Sequence, residues 1–150
     1  MQVYYCGGID KANTKTLATC AIYSPTADSW STAMAPMPVG RNHAATCTDG
    51  KKMYIFGGRD GKNIVGEGFD ETQIYDPATD TWAQGAPIPV ARGGMGKAVY
   101  SAGKCYVFGG EVWENEAPSV AKKITSARVS VATDIYTIGS DAWSRGAVRL

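Results

Sequence analysis

The sequence predicts an all-β protein built from three copies of one supersecondary unit, and three observations carry that expectation. A short apolar run halted by two glycines occurs as Val3 to Gly8 (VYYCGG), Lys52 to Gly58 (KMYIFGG) and Lys104 to Gly110 (KCYVFGG). The diglycines Gly7-Gly8, Gly57-Gly58 and Gly109-Gly110 are therefore spaced by 50 and 52 residues. A Tyr and then a Trp follow each diglycine, always seven residues apart: Tyr23 and Trp30, Tyr75 and Trp82, Tyr136 and Trp143. The first two Trp lead into matched connectors, Pro36-Met37-Pro38-Val39-Gly40-Arg41 and Pro87-Ile88-Pro89-Val90-Ala91-Arg92. Self-similarity at this period marks a unit that cannot bury its own faces and must stack on its neighbours.

The middle unit reads as four strands, a to d. Arg41 to Thr48 is strand a, Asp49-Gly50-Lys51 a tight hairpin turn, and Lys52 to Gly57 strand b. Strand b is apolar on both parities, through Met53, Tyr54, Ile55 and Phe56, as suits a sheet covered on both faces. Gly57-Gly58 ends it, where the chain needs positive φ or a close approach by a neighbour. A loop over 59–68 leads to strand c, about Glu71 to Tyr75. Asp76 to Asp80 is a turn whose Pro77 pre-sets φ, and strand d carries Trp82. Tyr75 and Trp82 are expected to close the gap between adjacent sheets. The first unit has strand b at Gln2 to Cys6, c near Thr19 to Tyr23 and d at Trp30, with no strand a. The third has a near Gly94 to Tyr100, b at Lys104 to Phe108, c near Thr133 to Tyr136 and d at Trp143. Its diglycine-to-Tyr spacing is 27 residues, against 16 and 18 elsewhere, so its b to c loop is an insertion.

Diglycine, Tyr, Trp and a Pro-x-Pro-Val-x-Arg connector, in that order, resemble the kelch repeat. The resemblance implies four-stranded antiparallel blades of a β-propeller, here a partial propeller of three blades over about 1–37, 38–89 and 90–150, the first lacking its innermost strand. Eleven strands are expected. The resemblance implies a ring of about six or seven blades, so the chain is expected to be a fragment completed by further blades of a longer chain, or to self-associate.

Fifteen basic residues are balanced by 14 acidic ones, for a net charge of +1, so no broad field draws nucleic acid or an anionic membrane. There is no apolar run of membrane-spanning length and no signal-peptide pattern. Cys6, Cys20, Cys47 and Cys105 are scattered without metal spacing and are expected as buried free thiols, which favours a cytoplasmic location.

In a four-stranded meander the start of a, the end of b, the start of c and the end of d share one rim. That rim collects Arg41, Asn42, His43 and Arg92 from the connectors, and Arg59, Asp60, Lys62, Asn63 and Glu67 from one b to c loop. The inserted loop adds Glu111, Trp113, Glu114 and Glu116. The resemblance implies that this rim is the ligand face. Arg41 and Arg92 have two open readings: gripping a carboxylate or phosphate through a planar guanidinium, or bonding carbonyls of the neighbouring blade to lock the ring. His43, whose counterpart is Gly94, does not repeat and is the better functional candidate. Trp113 is either a partner hot spot or a lid over its own loop. A single His and the absence of a phosphate-binding loop leave catalysis thinly supported. No cofactor or metal is expected. The favoured function is a module binding a protein or peptide. The alternative is part of a kelch-like enzyme, a galactose-oxidase-like copper radical oxidase or a sugar mutarotase, with its other site residues outside this chain.

Overall fold

The computed structural model describes residues 2–12, 15–61, 68–115 and 124–148. Its strands form three antiparallel blades and one extra hairpin. Blade 1 is β1 (Val3–Cys6), β2 (Cys20–Ser24) and β3 (Ser29–Ser31). Blade 2 is β4 (Ala45–Thr48), β5 (Met53–Phe56), β6 (Thr72–Asp76) and β7 (Thr81–Gly85), hydrogen-bonded in that order. Blade 3 is β8 (Val99–Ser101), β9 (Lys104–Phe108), β12 (Thr133–Thr137) and β13 (Ala142–Arg145). Between β9 and β12 lies the pair β10 (Glu111–Asn115) and β11 (Ile124–Val129).

The register puts each Tyr of strand c directly opposite its Trp on strand d. Ring centroids are 5.1 Å apart for Tyr23 and Trp30, 5.1 Å for Tyr75 and Trp82, and 5.2 Å for Tyr136 and Trp143. Alternation along each strand then sorts side chains between two faces. One core fills the space between blades 1 and 2, where Tyr4, Ile22 and Cys20 meet Ile55, Tyr75 and Trp82. A second lies between blades 2 and 3, where Tyr54, Phe56 and Ile74 meet Cys105, Val107, Tyr136 and Trp143. Tyr54 and Phe56 point to one neighbour and Met53 and Ile55 to the other, which is why strand b is apolar on both parities.

The diglycines serve the same stacking. Gly57 and Gly58 both have positive φ, 56° and 100°, and a Cβ on Gly57 would stand 2.6 Å from the Arg92 carbonyl oxygen of the next blade. Gly58 N–H donates to that oxygen at 2.9 Å, and Gly8 N–H donates to the Arg41 oxygen at 3.0 Å. A side chain would hold the blades apart, so glycine recurs.

Several expectations need correction. The two innermost strands start later than the sequence suggests, at Ala45 and Val99, because His43 and Gly94 adopt left-handed backbone, at φ 54° and 63°. Left-handed backbone cannot continue a strand. There are 13 strands among the described residues, not eleven, because the insertion of blade 3 forms the β10–β11 hairpin where a loop was expected. Finally, none of the cysteines is free: Cys6 is bonded to Cys20 and Cys47 to Cys105. Cys6 and Cys20 are cross-strand partners on β1 and β2, whereas the second bridge ties β4 of blade 2 to β9 of blade 3. With both bridges formed, free thiols no longer point to a cytoplasmic location.

Candidate functional site

The rim is assembled by short backbone bridges. Asn42 pairs with Arg59, and Gly93 with Glu111, so each connector is stitched to the segment just after the diglycine of its own blade. This brings the connectors and the first residues after each diglycine to one face.

Arg41 and Arg92 turn away from that face. They are 2% and 0% exposed. Arg41 donates to the carbonyl oxygens of Gly57 at 2.8 Å and Glu71 at 3.2 Å, and its guanidinium lies 4.8 Å from the Phe69 ring centroid. Arg92 donates to the Gly109 oxygen at 2.8 Å. Each therefore bonds the first glycine of its own blade's diglycine, and not the neighbouring blade, which corrects the ring-lock expectation in detail. Arg41 Nη2 lies 3.5 Å from Glu71 Oε2, and Arg92 Nη2 2.7 Å from Asp134 Oδ2. The latter approach is off the N–H direction, an ion contact and not an aligned hydrogen bond. Burial pulls both guanidinium pKa values down, and Glu71 and Asp134 oppose that pull. Asp134 also holds Arg145, 3.2 Å away.

Asn42, His43, Arg59 and Glu111 come together at the surface. Asn42 Nδ2 donates to Thr16 Oγ1 of blade 1 at 3.3 Å and to the Gly61 oxygen at 3.1 Å. Asn42 Oδ1 accepts from Arg59 Nε at 3.2 Å and faces His43 Nδ1 at 2.6 Å. Arg59 Nη2 donates to His43 Nε2 at 3.1 Å, so the proton of the neutral ring sits on Nδ1 and is given to Asn42. Arg59 Nη1 lies 3.5 Å from Glu111 Oε2. Burial first, and the Arg59 charge second, push the His43 pKa below its ordinary 6.5, with Glu111 working the other way. The network thus runs from blade 1 through blade 2 to the first residue of the blade 3 hairpin. Asn42 and Arg59 are buried at 5% and 6%, while the His43 ring stays exposed.

Asp60 is exposed and accepts a bond from Gly61 N–H within its own turn. Trp113 and Glu114 lie on β10 opposite Ala127 and Ser126, but their side chains, like Lys62, Asn63, Glu67 and Glu116, lie outside the described residues. A cleft of about 1150 Å³ opens beside His43 and runs along β1 between blades 1 and 2, past Tyr5, Cys6, Thr46 and Lys97. Among the described residues β1 pairs with β2, and β5 pairs with β4 and β6.

Sequence reasoning missed one recurrent group. Asp28, Asp80 and Asp141 have left-handed backbone at φ 46°, 52° and 47°, and accept a bond from the Tyr of their own blade at 2.6, 2.8 and 2.5 Å. Asp80 Oδ1 also takes the Ala35 N–H at 2.8 Å, while Trp82 Nε1 donates to the Ala35 oxygen at 3.0 Å. Asp141 and Trp143 hold Ala86 identically, at 2.8 Å and 2.8 Å. In blades 2 and 3 the Asp-Trp pair clamps the connector that leaves the preceding blade. The signal was in the sequence: each Asp falls five residues after its Tyr.

Stacked antiparallel blades joined by such clamps define a β-propeller repeat protein. Residues 40–89 match the Kelch motif family. The chain is 32% identical over 110 residues to Kelch-like protein terF of Aspergillus terreus, across 73% of this chain and 24% of that protein. It is 30% identical over 146 residues to Kelch-like protein 36 of Mus musculus, across 96% of this chain and 22% of that protein. The solved structure of YjhT superposes with a TM-score of 0.74 at 18% identity, over 98% of this chain and 49% of that one. The chain belongs to the kelch-repeat proteins. It spans under a quarter of the length of these two relatives.

Proposed function

We propose that the chain is an interaction module that grips an extended segment of a partner protein on the rim of connectors and b to c loops. The observation that carries this reading is His43. It is an exposed non-glycine residue at φ 54°, where the repeat elsewhere uses Gly94 at φ 63°. Left-handed backbone at a non-glycine residue costs on the order of 1 kcal/mol or more, and here the bonds of the ring to Asn42 and Arg59 hold it. The ring is held at the mouth of the cleft by Asn42 and Arg59, so a segment lying in the cleft reaches it. His43, Asp60 and Glu111 are the contact residues, with Asn42 and Arg59 positioning them. Arg41 and Arg92 support the rim from beneath. The copper-enzyme reading draws no support from His43, whose two ring nitrogens already engage Asn42 and Arg59.

Selection of a displayed random peptide library on the chain, followed by titration of the selected peptides, tests the reading. His43→Gly is expected to weaken binding at least about tenfold while the chain stays folded, since relief of the left-handed backbone offsets the lost bonds to Asn42 and Arg59. Glu111→Ala is expected to weaken it as well. Peptides insensitive to both but sensitive to Asp49→Ala, on the opposite rim, contradict it.

A further inference from the structure

The contact between His43 and Arg59 does more than hold the ring in place. With the ring neutral, Nδ1–H donates to Asn42 Oδ1 at 2.6 Å and Nε2 accepts from Arg59 Nη2 at 3.1 Å. A second proton can go only to Nε2. There it turns the acceptor into a donor aimed at another donor, and sets two positive charges 3.1 Å apart. The Asn42 bond survives, because Nδ1 donates in both forms. What must give is the Arg59 contact. Arg59 keeps other partners, since its Nε donates to Asn42 Oδ1 at 3.2 Å and its Nη1 lies 3.5 Å from Glu111 Oε2 on β10. The backbone beneath does not follow, because Asn42 and Arg59 exchange both N–H to oxygen bonds, at 3.0 and 2.9 Å. The change is confined to the side chains of the rim.

Arg59, just after the blade 2 diglycine, and Glu111, on β10, are the charges that act on the ring. Arg41, on the connector of His43, turns away to carbonyl oxygens and Glu71. Asp60 accepts within its own turn, and Lys51, Lys52 and Lys97 line the cleft beside the ring. A proton on His43 therefore acts on the contact that runs from blade 2 to the blade 3 hairpin.

We propose that His43 and Arg59 form a proton-operated latch: the neutral ring fastens Arg59 and sets the rim for its partner, and the protonated ring expels Arg59 and loosens the partner's grip. The effect on a partner rests on the reading of the rim as a binding face. By linkage, a partner that prefers the neutral ring also holds the proton off, by the same factor by which protonation weakens binding.

An NMR pH titration of the labelled chain tests the latch without any partner. The Arg59 Nε–H signal is expected to move with the same midpoint as the His43 ring. Glu111→Gln is expected to lower that midpoint, since the carboxylate favours the protonated ring. Peptides selected from the displayed library at about pH 7.5, where the ring is neutral, test the control of binding. Their affinity is expected to fall at least about tenfold as His43 titrates, and a saturating peptide to shift the His43 midpoint downward. His43→Asn, which tolerates left-handed backbone and carries no titrating ring, is expected to bind without that pH dependence. An Arg59 signal that stays still while His43 titrates overturns the latch, whether or not peptides bind. Signals that move together beside an affinity that stays flat overturn its control of the rim. A library that yields no binder counts against the partner-binding reading, and the Arg59 signal then decides the latch alone.

Discussion

Arg41 and Arg92 look alike in the sequence and behave alike in the structure, yet the sequence left open whether they face a ligand or the fold. The deciding quantity is burial, which depends on where the first glycine of each diglycine points its carbonyl, and no local pattern shows that. Arg92 and Asp134 are both 0% exposed in their side chains, so Arg92→Met leaves a buried carboxylate whose remaining ion partner among the described residues is the half-exposed Arg145. Loss of stability on the order of 3 to 5 kcal/mol is expected, read as a fall in urea midpoint, because breaking a buried pair strands a charge. His43 gives a second residue-scale prediction. Its folded pKa lies below the unfolded value near 6.5, so the unfolded state binds the proton more readily. Its contribution to stability is therefore present above about pH 6.5 and declines as pH falls through the interval down to the folded value. As the one His in the chain, it gives an unambiguous NMR titration, expected to have its midpoint below 6.5.

Among the elements, the d strands were the most legible, since a constant Tyr-to-Trp interval fixes both register and face. Strand a was the least, because the left-handed residues His43 and Gly94 cut into a run that otherwise reads as extended. The β10–β11 hairpin escaped notice because its arms are separated by eight residues in the sequence and the first carries two acidic side chains, so neither arm alone shows a clear apolar face. The clamp makes a prediction in which the same residue type has two costs. Trp82, half-buried between blades and bonded to Ala35, is expected to cost on the order of 3 to 5 kcal/mol when changed to Ala. Trp30, 61% exposed and bonding no connector among the described residues, is expected to cost this chain no more than about 0.5 kcal/mol. Urea titrations of the two variants side by side make the comparison.

Across the whole molecule, the blades are tied by three devices that coincide at each junction: the diglycine on the Arg carbonyl, the Asp-Trp clamp, and the aromatic core. Between blades 2 and 3 the Cys47–Cys105 bridge adds a covalent tie. It was not legible because its partners are 58 residues apart, on different strands of different blades, and meet only once the blades stack. Cys6 and Cys20 were within reach of register reasoning, since Val3 opposite Tyr23 places Cys6 opposite Cys20. Non-reducing peptide mapping is expected to return these two pairs and no thiol, and reduction is expected to lower stability by about 2 to 4 kcal/mol. The architecture was readable because it repeats; the rim was readable only as a place, since its network depends on residues such as Thr16 and His43 that have no counterpart in the other units. The direct test of that rim is chemical-shift mapping of a selected peptide on the labelled chain. Shifts concentrated at Asn42, His43, Asp60 and Glu111 are predicted. Shifts concentrated instead at the opposite turns around Asp49 and Asp76 would contradict the account.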